Sequence, residues 1–152
     1  MGTDPANRGF SFCQKINCRY CLKKNFTGRI ISNITGKEYA CMKNVLSRSS
    51  NLIYCITCTR CGIQYVGQTL LRLMDRFTKH FLQTEKAQIE HTCARHFIQC
   101  DHNGVFDMKI SILESVKKAP RSEAVQTIRD QVERKWMHLL RSCAPQGLNI
   151  DD

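Results

Sequence analysis

The sequence predicts an α+β domain that follows a basic, cysteine-rich segment. Two β-prone runs, at 51–56 and 63–66, flank the turn at 58–62 and predict an antiparallel hairpin. Apolar residues then recur at helical spacing in two regions, and an alternating segment near 108–112 lies between them. The predicted order is β-β-α-α-β-α, with residues 51–152 as one domain and 1–50 as a loop-rich extension.

Each later element has its own local signal. Thr69 is the predicted N-cap of a first helix ending near Gln83, whose apolar residues are Leu70, Met74, Phe77 and Phe81. A shorter helix is predicted at 89–98, before the turn-forming residues 101–104. Met108, Ile110 and Ile112 alternate with polar residues, as in a half-buried strand. After Pro120, Ser122 caps a long helix whose apolar face is Ile128, Val132, Trp136, Leu139 and Leu140.

Positive charge is concentrated in the extension. The 152 residues have a formal net charge of +10. Residues 1–50 hold nine Lys/Arg against two Asp/Glu, whereas 51–152 hold fourteen against eleven. This excess favours a nucleic-acid partner, with Lys23 and Lys24 among the candidate contacts, although an ordinary solvated surface shows the same charge. No run of 18 apolar residues is present, so the sequence predicts a soluble, intracellular protein without a membrane partner.

The ten cysteines favour zinc over disulfides, because the first ten residues contain no apolar leader segment. One predicted zinc site combines the close group Cys13, Cys18 and Cys21 with Cys41. The alternative is that some of these residues are free thiols in a flexible tail.

A second predicted zinc site ties the hairpin turn to the end of the second helix. Its ligands are Cys58-x2-Cys61 and His96-x5-His102, with His91 as the main competitor for a ligand position. The remaining cysteines are predicted to be mostly small buried hydrophobic residues: Cys55, Cys93, Cys100 and Cys143.

The helices also carry candidate catalytic residues. Arg72, Arg76 and His80 are spaced i, i+4, i+8 and line one side of the first helix, where with Lys79 they can bind phosphate. Taken alone, such a row is more often the solvated side of a surface helix. Glu133 lies at the margin of the last helix's buried face, where a carboxylate can hold Mg(II) or Mn(II), although most such residues are simply solvated.

Five motifs occur in a fixed order across 51–152: Leu52-Ile53-Tyr54, Tyr65-Val66-Gly67, Arg76-x3-His80, Glu133-x2-Trp136 and Gly147-Leu148-Asn149. Together they resemble the GIY-YIG nuclease family. The Cys-x2-Cys between the two tyrosine strands, the downstream histidines and the cysteine-rich lead-in are similar to the endonuclease domain of Penelope-like retroelements. Leu52 replaces the first glycine of the family motif and Val66 replaces isoleucine, but both tyrosines are present.

The resemblance implies a small three-stranded antiparallel sheet flanked by helices, with an active site across the sheet face. It implies that Tyr54 and Tyr65 place hydroxyls near the scissile phosphate and that Arg76 stabilises the developing charge. It further implies that Glu133 binds one Mg(II) or Mn(II) ion and that Asn149 braces the site. His80 matches the family's helix histidine.

The implied function is metal-dependent nicking of double-stranded DNA in the nucleus, to prime copying by a linked reverse transcriptase that carries element RNA. Tyr54 can be the general base only if nearby positive charge lowers its pKa; otherwise the metal or His80 activates water. Cross-strand packing is the structural alternative for both tyrosines. Two other functions stay open: a non-catalytic zinc-stapled nucleic-acid binder, which would be expected to lack Glu133 or Arg76, and a structure-specific repair nuclease of the same fold.

Overall fold

The computed structural model describes residues 10–11, 28–42, 45–46, 50–99, 104–116 and 122–150. The strands are β1 (Phe10–Ser11), β2 (Arg29–Ile31), β3 (Glu38–Ala40), β4 (Val45–Leu46), β5 (Leu52–Cys58), β6 (Gln64–Thr69) and β7 (Met108–Ser115). The α-helices are α1 (Leu73–Glu85), α2 (Thr92–Phe97) and α3 (Ser122–Leu140), and a 3-10 helix, Gly104–Asp107, precedes β7.

The central sheet has three antiparallel strands in the order β6-β5-β7. The middle strand β5 is almost continuously buried, because helices cover one of its faces and a helix with a hairpin covers the other. Leu52, Tyr54 and Ile56 face α1 and α2, whereas Ile53 and Cys55 face α3. The predicted three-stranded sheet flanked by helices is confirmed.

A second hairpin, β2–β3, packs on the α3 side of the sheet. Ile30 and Cys41 are buried in the same hydrophobic cluster as Trp136 and Leu140, and the ring of Tyr39 meets that of Trp136 edge-on at 5.4 Å. The Oγ of Ser32 at the hairpin turn donates a 2.9 Å hydrogen bond to the carbonyl of Leu140. The described part of the extension therefore shares its core with the domain, while the predicted boundary at residue 50 stays a prediction.

Helix ends differ from the predictions. Thr69 is not the N-cap of α1: it is the last residue of β6, its hydroxyl donates to the carbonyl of Leu71, and the N-cap position is Arg72. Leu70 is 63% exposed, so the apolar face of α1 starts with Leu73 instead. The second helix is shorter than predicted, Thr92–Phe97. None of the described helices is both long and apolar enough to cross a bilayer.

Candidate active site

Tyr54 lies at the centre of the sheet with no solvent exposure. Its partner across β5 and β6 is Gly67. A Cβ at Gly67 would lie 2.5 Å from both Cζ and Oη of Tyr54, so only glycine leaves room for the ring at this position. The ring of Phe77 meets the Tyr54 ring edge-on at 5.1 Å and holds it from the α1 side.

A chain of hydrogen bonds joins Tyr54 to two residues of α1. The Nε of Arg76 donates to the Tyr54 hydroxyl at 3.0 Å, and that hydroxyl lies 2.7 Å from Nε2 of His80. Because arginine can only donate, the tyrosine oxygen accepts from Arg76, and its own proton can bond to His80 when Nε2 of that ring carries no hydrogen. That arrangement requires a neutral His80 with its proton on Nδ1. Burial and the neighbouring Arg76 charge agree with this state, since they lower the pKa of His80 to about 3.

Neither tyrosine ionises easily. Burial raises the pKa of Tyr54 well above its ordinary value, despite the opposing charge of Arg76. Burial likewise raises the pKa of Tyr65 to about 12. Burial thus opposes the ionised Tyr54 that a general base requires, and that role of Tyr54 stays a prediction.

Five of the six predicted catalytic residues line one cavity of about 720 Å³: Tyr65, Arg76, His80, Glu133 and Asn149. Tyr54 lies behind its wall, 6.5 Å from the ring of Tyr65 between centroids. Lys79 also faces the cavity, and residues from the end of α1 to the start of α2 form the opposite rim. The structure thus brings together side chains from β5, β6, α1, α3 and the segment after α3.

Glu133 enters this cavity from α3. Its Oε2 atom is buried, and within the described part of the chain it has no hydrogen-bond partner. Burial raises the pKa of its carboxyl above the ordinary value, and a hydrogen bond from the Gln68 side chain opposes that rise. A buried carboxylate oxygen without a partner suits a hard divalent cation, so Glu133 fits Mg(II) or Mn(II).

Asn149 uses its side chain within the protein. Its Oδ1 accepts from the backbone N of Val66 at 2.8 Å and from the Oγ of Ser142 at 2.6 Å, and its Nδ2 donates to the carbonyl of Val66 at 2.7 Å. The side-chain amide thus pairs with the free edge of β6, next to Tyr65. This arrangement braces the strand that carries the tyrosine and the glycine of the second motif.

The predicted row on α1 does not lie wholly on the solvent side. Arg72 is exposed, and its Nε lies 2.8 Å from Oδ2 of Asp75 in an ion pair. Arg76 is half-buried, and His80 is only 4% exposed because both bind the buried hydroxyl of Tyr54. Arg72 and Lys79 stay predicted nucleic-acid contacts. Lys23 and Lys24 lie outside the described residues.

A second cluster lies at the turn between β5 and β6. The ligand atoms of Cys58, Cys61 and His96 lie within 4.8 Å of one another, and Cys61 Sγ is 3.4 Å from Nε2 of His96. Two thiols and an imidazole are a donor set that suits Zn(II). The predicted fourth ligand, His102, lies outside the described residues. His91, the competitor, lines the active-site cavity instead and contacts Gln83 at 3.4 Å.

The other predicted zinc site stays a prediction, because Cys13, Cys18 and Cys21 lie outside the described residues. Cys41 is buried with the α3-side cluster; burial raises its pKa to about 11, and a hydrogen bond with Ser111 opposes that rise. Cys55 and Cys93 are buried, as predicted for small apolar residues, and Cys143 is half-buried. Cys100 lies outside the described residues.

Sequence reasoning missed the polar residues that surround Glu133. Gln68 directly follows the second motif, and its Nε2 donates to Oδ1 of Asp130 at 2.7 Å. Arg129 is only 4% exposed, although charged residues of a long helix are normally assigned to solvent. A local signal for these polar neighbours was the spacing of Asp130, which lies three residues before Glu133 and so on the same side of the helix.

Fold and site together define a nuclease-type domain, in which an arginine, a tyrosine and a metal-competent carboxylate face one cavity. A family model for the GIY-YIG catalytic domain matches residues 50–149, more than half of the chain, and the protein belongs to this family. Searches of curated proteins and of solved structures gave no significant match. GIY-YIG domains are generally endonucleases, and the family implies a nucleic-acid substrate.

Proposed function

We propose that the protein is a DNA endonuclease that hydrolyses a phosphodiester bond with the help of a divalent cation. The observation that carries this proposal is the convergence of Tyr65, Arg76 and Glu133 on one cavity of about 720 Å³. Family membership agrees with it. A cavity of this size can hold a phosphodiester and the adjacent sugars.

Arg76 is the residue that stabilises negative charge on the phosphate. Its guanidinium is half-buried, and its Nε is fixed by the Tyr54 hydroxyl, so it needs little reorganisation as charge develops on the phosphate oxygens. Tyr54 and His80 are then positioning residues: they hold the guanidinium from behind the cavity wall. Tyr54 keeps its proton in this function, in agreement with its raised pKa.

Tyr65 lies at the cavity itself. Because its pKa is raised to about 12, its hydroxyl is protonated at neutral pH and can donate a hydrogen bond to a phosphate oxygen. Glu133 would hold Mg(II) or Mn(II), which when bound neutralises charge on the phosphate and on the leaving oxygen. Asn149 keeps the edge of β6 in place, and with it Tyr65.

Within this function we place the protein among the endonucleases of Penelope-like retroelements, which nick target DNA in the nucleus and leave a 3′ hydroxyl for a linked reverse transcriptase. The supporting features are the Cys58-x2-Cys61 turn between the two tyrosine strands and its closeness to His96. The cysteine-rich segment that precedes the domain agrees with this assignment.

The test of the endonuclease activity is the nicking of supercoiled plasmid in Mg(II), in Mn(II) and in EDTA. We expect nicking with either metal, none with EDTA, and none for Glu133→Ala, which should still bind DNA in an anisotropy titration. Arg76→Ala should lose rate more than affinity, because one phosphate contact contributes little to overall binding. Metal-dependent nicking by Glu133→Ala would refute the role of Glu133. Tight DNA binding without nicking by the wild type would instead indicate a non-catalytic binder.

The retroelement assignment needs a separate measurement on the nicked product. A DNA polymerase should extend the nick directly, without phosphatase treatment, because target priming requires a 3′ hydroxyl. Ends that require phosphatase treatment before extension would contradict the assignment, even if the plasmid is nicked efficiently.

A further inference from the structure

Two carboxylates lie close together at the margin of the active site. Asp130 and Glu133 are three residues apart on α3, and both line a second cavity of about 590 Å³ beside the first. In the described part of the chain, no lysine, arginine or histidine forms an ion pair with either of them. The negative charge of Asp130 also makes ionisation of Glu133 harder. Arg76 and Arg129 favour the charged form of Glu133 from nearby, but the direct contacts of the pair come from other side chains.

Two side-chain amides make direct contacts with this pair of carboxylates. The Nε2 of Gln68 donates to Oδ1 of Asp130 at 2.7 Å, and the Nε2 of Gln126 donates to the same oxygen at 2.8 Å. The Gln68 side chain also lines the same cavity as Glu133, and its amide favours the charged form of that carboxyl. A primary amide has two N–H groups, so one glutamine can serve both carboxylates. Gln126, in contrast, contacts Asp130 and Gln68.

We propose that Gln68 is a positioning residue, which fixes the carboxylate of Glu133 so that its free oxygen can accept the divalent cation. The inference rests on the proposed function, because it assigns a cation to Glu133. A neutral donor is suited to this role: it satisfies a carboxylate but leaves its negative charge for the cation, whereas a lysine or arginine would compete with the metal. Oε2 of Glu133, which has no hydrogen-bond partner among the described residues, is the atom left for that ligand.

The strand places Gln68 for this task. It follows Gly67, the residue that admits the ring of Tyr54, and it lies on β6, an edge strand of the sheet. Successive residues of a strand point to opposite faces, so Tyr65 and Gln68 project to different sides of β6. Glu133 lines both cavities, together with Tyr65 in the first and with Gln68 in the second. The second family motif and the glutamine after it therefore border two cavities that share the carboxylate of Glu133.

The test compares Gln68→Leu with the control Gln126→Leu, which removes a donor to Asp130 and the long 3.5 Å contact to Oε1 of Gln68 but keeps the Gln68 side chain and its donor group. Mn(II) affinity is measured on zinc-loaded protein without DNA, from the electron paramagnetic resonance signal of free Mn(II), with Glu133→Ala as the reference for loss of the site. We expect Gln68→Leu to bind Mn(II) about 10–100-fold more weakly than the wild type, as is typical when a partner of a metal ligand is lost. The Mn(II) affinity of Gln126→Leu should stay within about threefold of the wild-type value.

Nicking assays give the second readout. The Mn(II) concentration for half-maximal nicking should rise in Gln68→Leu by the same factor as the dissociation constant, while the rate at saturating Mn(II) recovers most of its wild-type value. If Gln68→Leu does not fold, Gln68→Met takes its place, since its unbranched chain fills the same space without the amide.

The outcomes separate the two proposals. Wild-type Mn(II) affinity in a folded Gln68→Leu or Gln68→Met protein would overturn the role of Gln68 and leave the proposed endonuclease untouched. A wild type that binds Mn(II) through Glu133 and loses it with Gln68→Leu, yet never nicks DNA, would support Gln68 and overturn the endonuclease.

Discussion

Replacing Gly67 with alanine should damage the active site through packing alone. The φ of Gly67 is outside the left-handed region, so alanine adds no backbone strain, but its Cβ would lie 2.5 Å from Cζ and Oη of Tyr54. Carbon atoms in contact prefer about 3.5–4.0 Å, so the buried ring must move by about 1 Å. A shift of that size would disturb both the 3.0 Å bond from Arg76 and the 2.7 Å bond between the Tyr54 hydroxyl and His80.

We expect Gly67→Ala to lose about 1–3 kcal/mol of unfolding free energy from overpacking. Its nicking rate should fall by about 100-fold, since a misplacement of about 1 Å in the group that positions Arg76 can cost that much. Urea unfolding and single-turnover nicking at saturating Mg(II) measure the two effects.

Gly36→Ala is the matched control for this prediction. Gly36 has a φ of +74°, and no atom lies within 4 Å of the position that a Cβ would take there, so alanine costs about 1–2 kcal/mol through backbone strain alone. Its nicking rate should equal that of the wild type under conditions where both are folded. Wild-type stability and rate in Gly67→Ala would refute the packing argument, and an equal loss of rate in both variants would show that stability alone governs activity.

Three further outcomes are expected. Tyr54→Phe removes the hydroxyl between Arg76 and His80 and should slow single-turnover nicking by tenfold or more, with unchanged DNA affinity; an unchanged rate would contradict its positioning role. The pKa of His80 is lowered from 6.5 to about 3, so its contribution to stability is complete above pH 6.5 and is lost as the pH falls towards 3, with a slope of up to about 1.4 kcal/mol per pH unit. His80→Gln should flatten that slope in urea unfolding between pH 7 and 4, and an unchanged slope would show that other groups produce it. Zinc removal by a chelator should lower the Tm of the wild type by about 5 °C or more, because about 1 kcal/mol of unfolding free energy corresponds to about 2–4 °C in a chain of this size. The chelator should not change the Tm of Cys61→Ser in this way.

The central sheet was predictable because its strands carry a local pattern. Residues 52–58 form a run rich in β-branched and apolar residues, and 108–112 alternate, so each strand is visible without its partner. The ordered motifs then predicted which side chains meet. The structure places Tyr65, Arg76 and Glu133 at one cavity, although they are far apart in the sequence.

The hairpin β2–β3 could not be predicted in this way. Each of its strands has three residues, and Ile30 is the only fully buried apolar residue of the pair. Its stability comes from distant partners: the carbonyl of Leu140 accepts from Ser32, and Trp136 packs against Tyr39. Contacts between residues so far apart leave no periodic signal in a short segment.

Buried polar side chains were the second source of error. His80 and Arg129 occupy helix positions that a polarity pattern assigns to solvent, yet both are 4% exposed. Tertiary partners decide their burial, as the hydroxyl of Tyr54 does for His80. Polar residues near the site are therefore the ones for which helical periodicity is least informative.

The most direct test of the central claim is anomalous diffraction at the manganese edge, from crystals of zinc-loaded protein soaked with Mn(II) and bound to an uncleavable phosphorothioate DNA. We expect one manganese peak within about 2.0–2.3 Å of Oε2 of Glu133, with the scissile phosphate between that ion and Arg76. A manganese ion bound elsewhere on the protein, with Glu133 left without a ligand and the phosphate outside the cavity, would contradict the account.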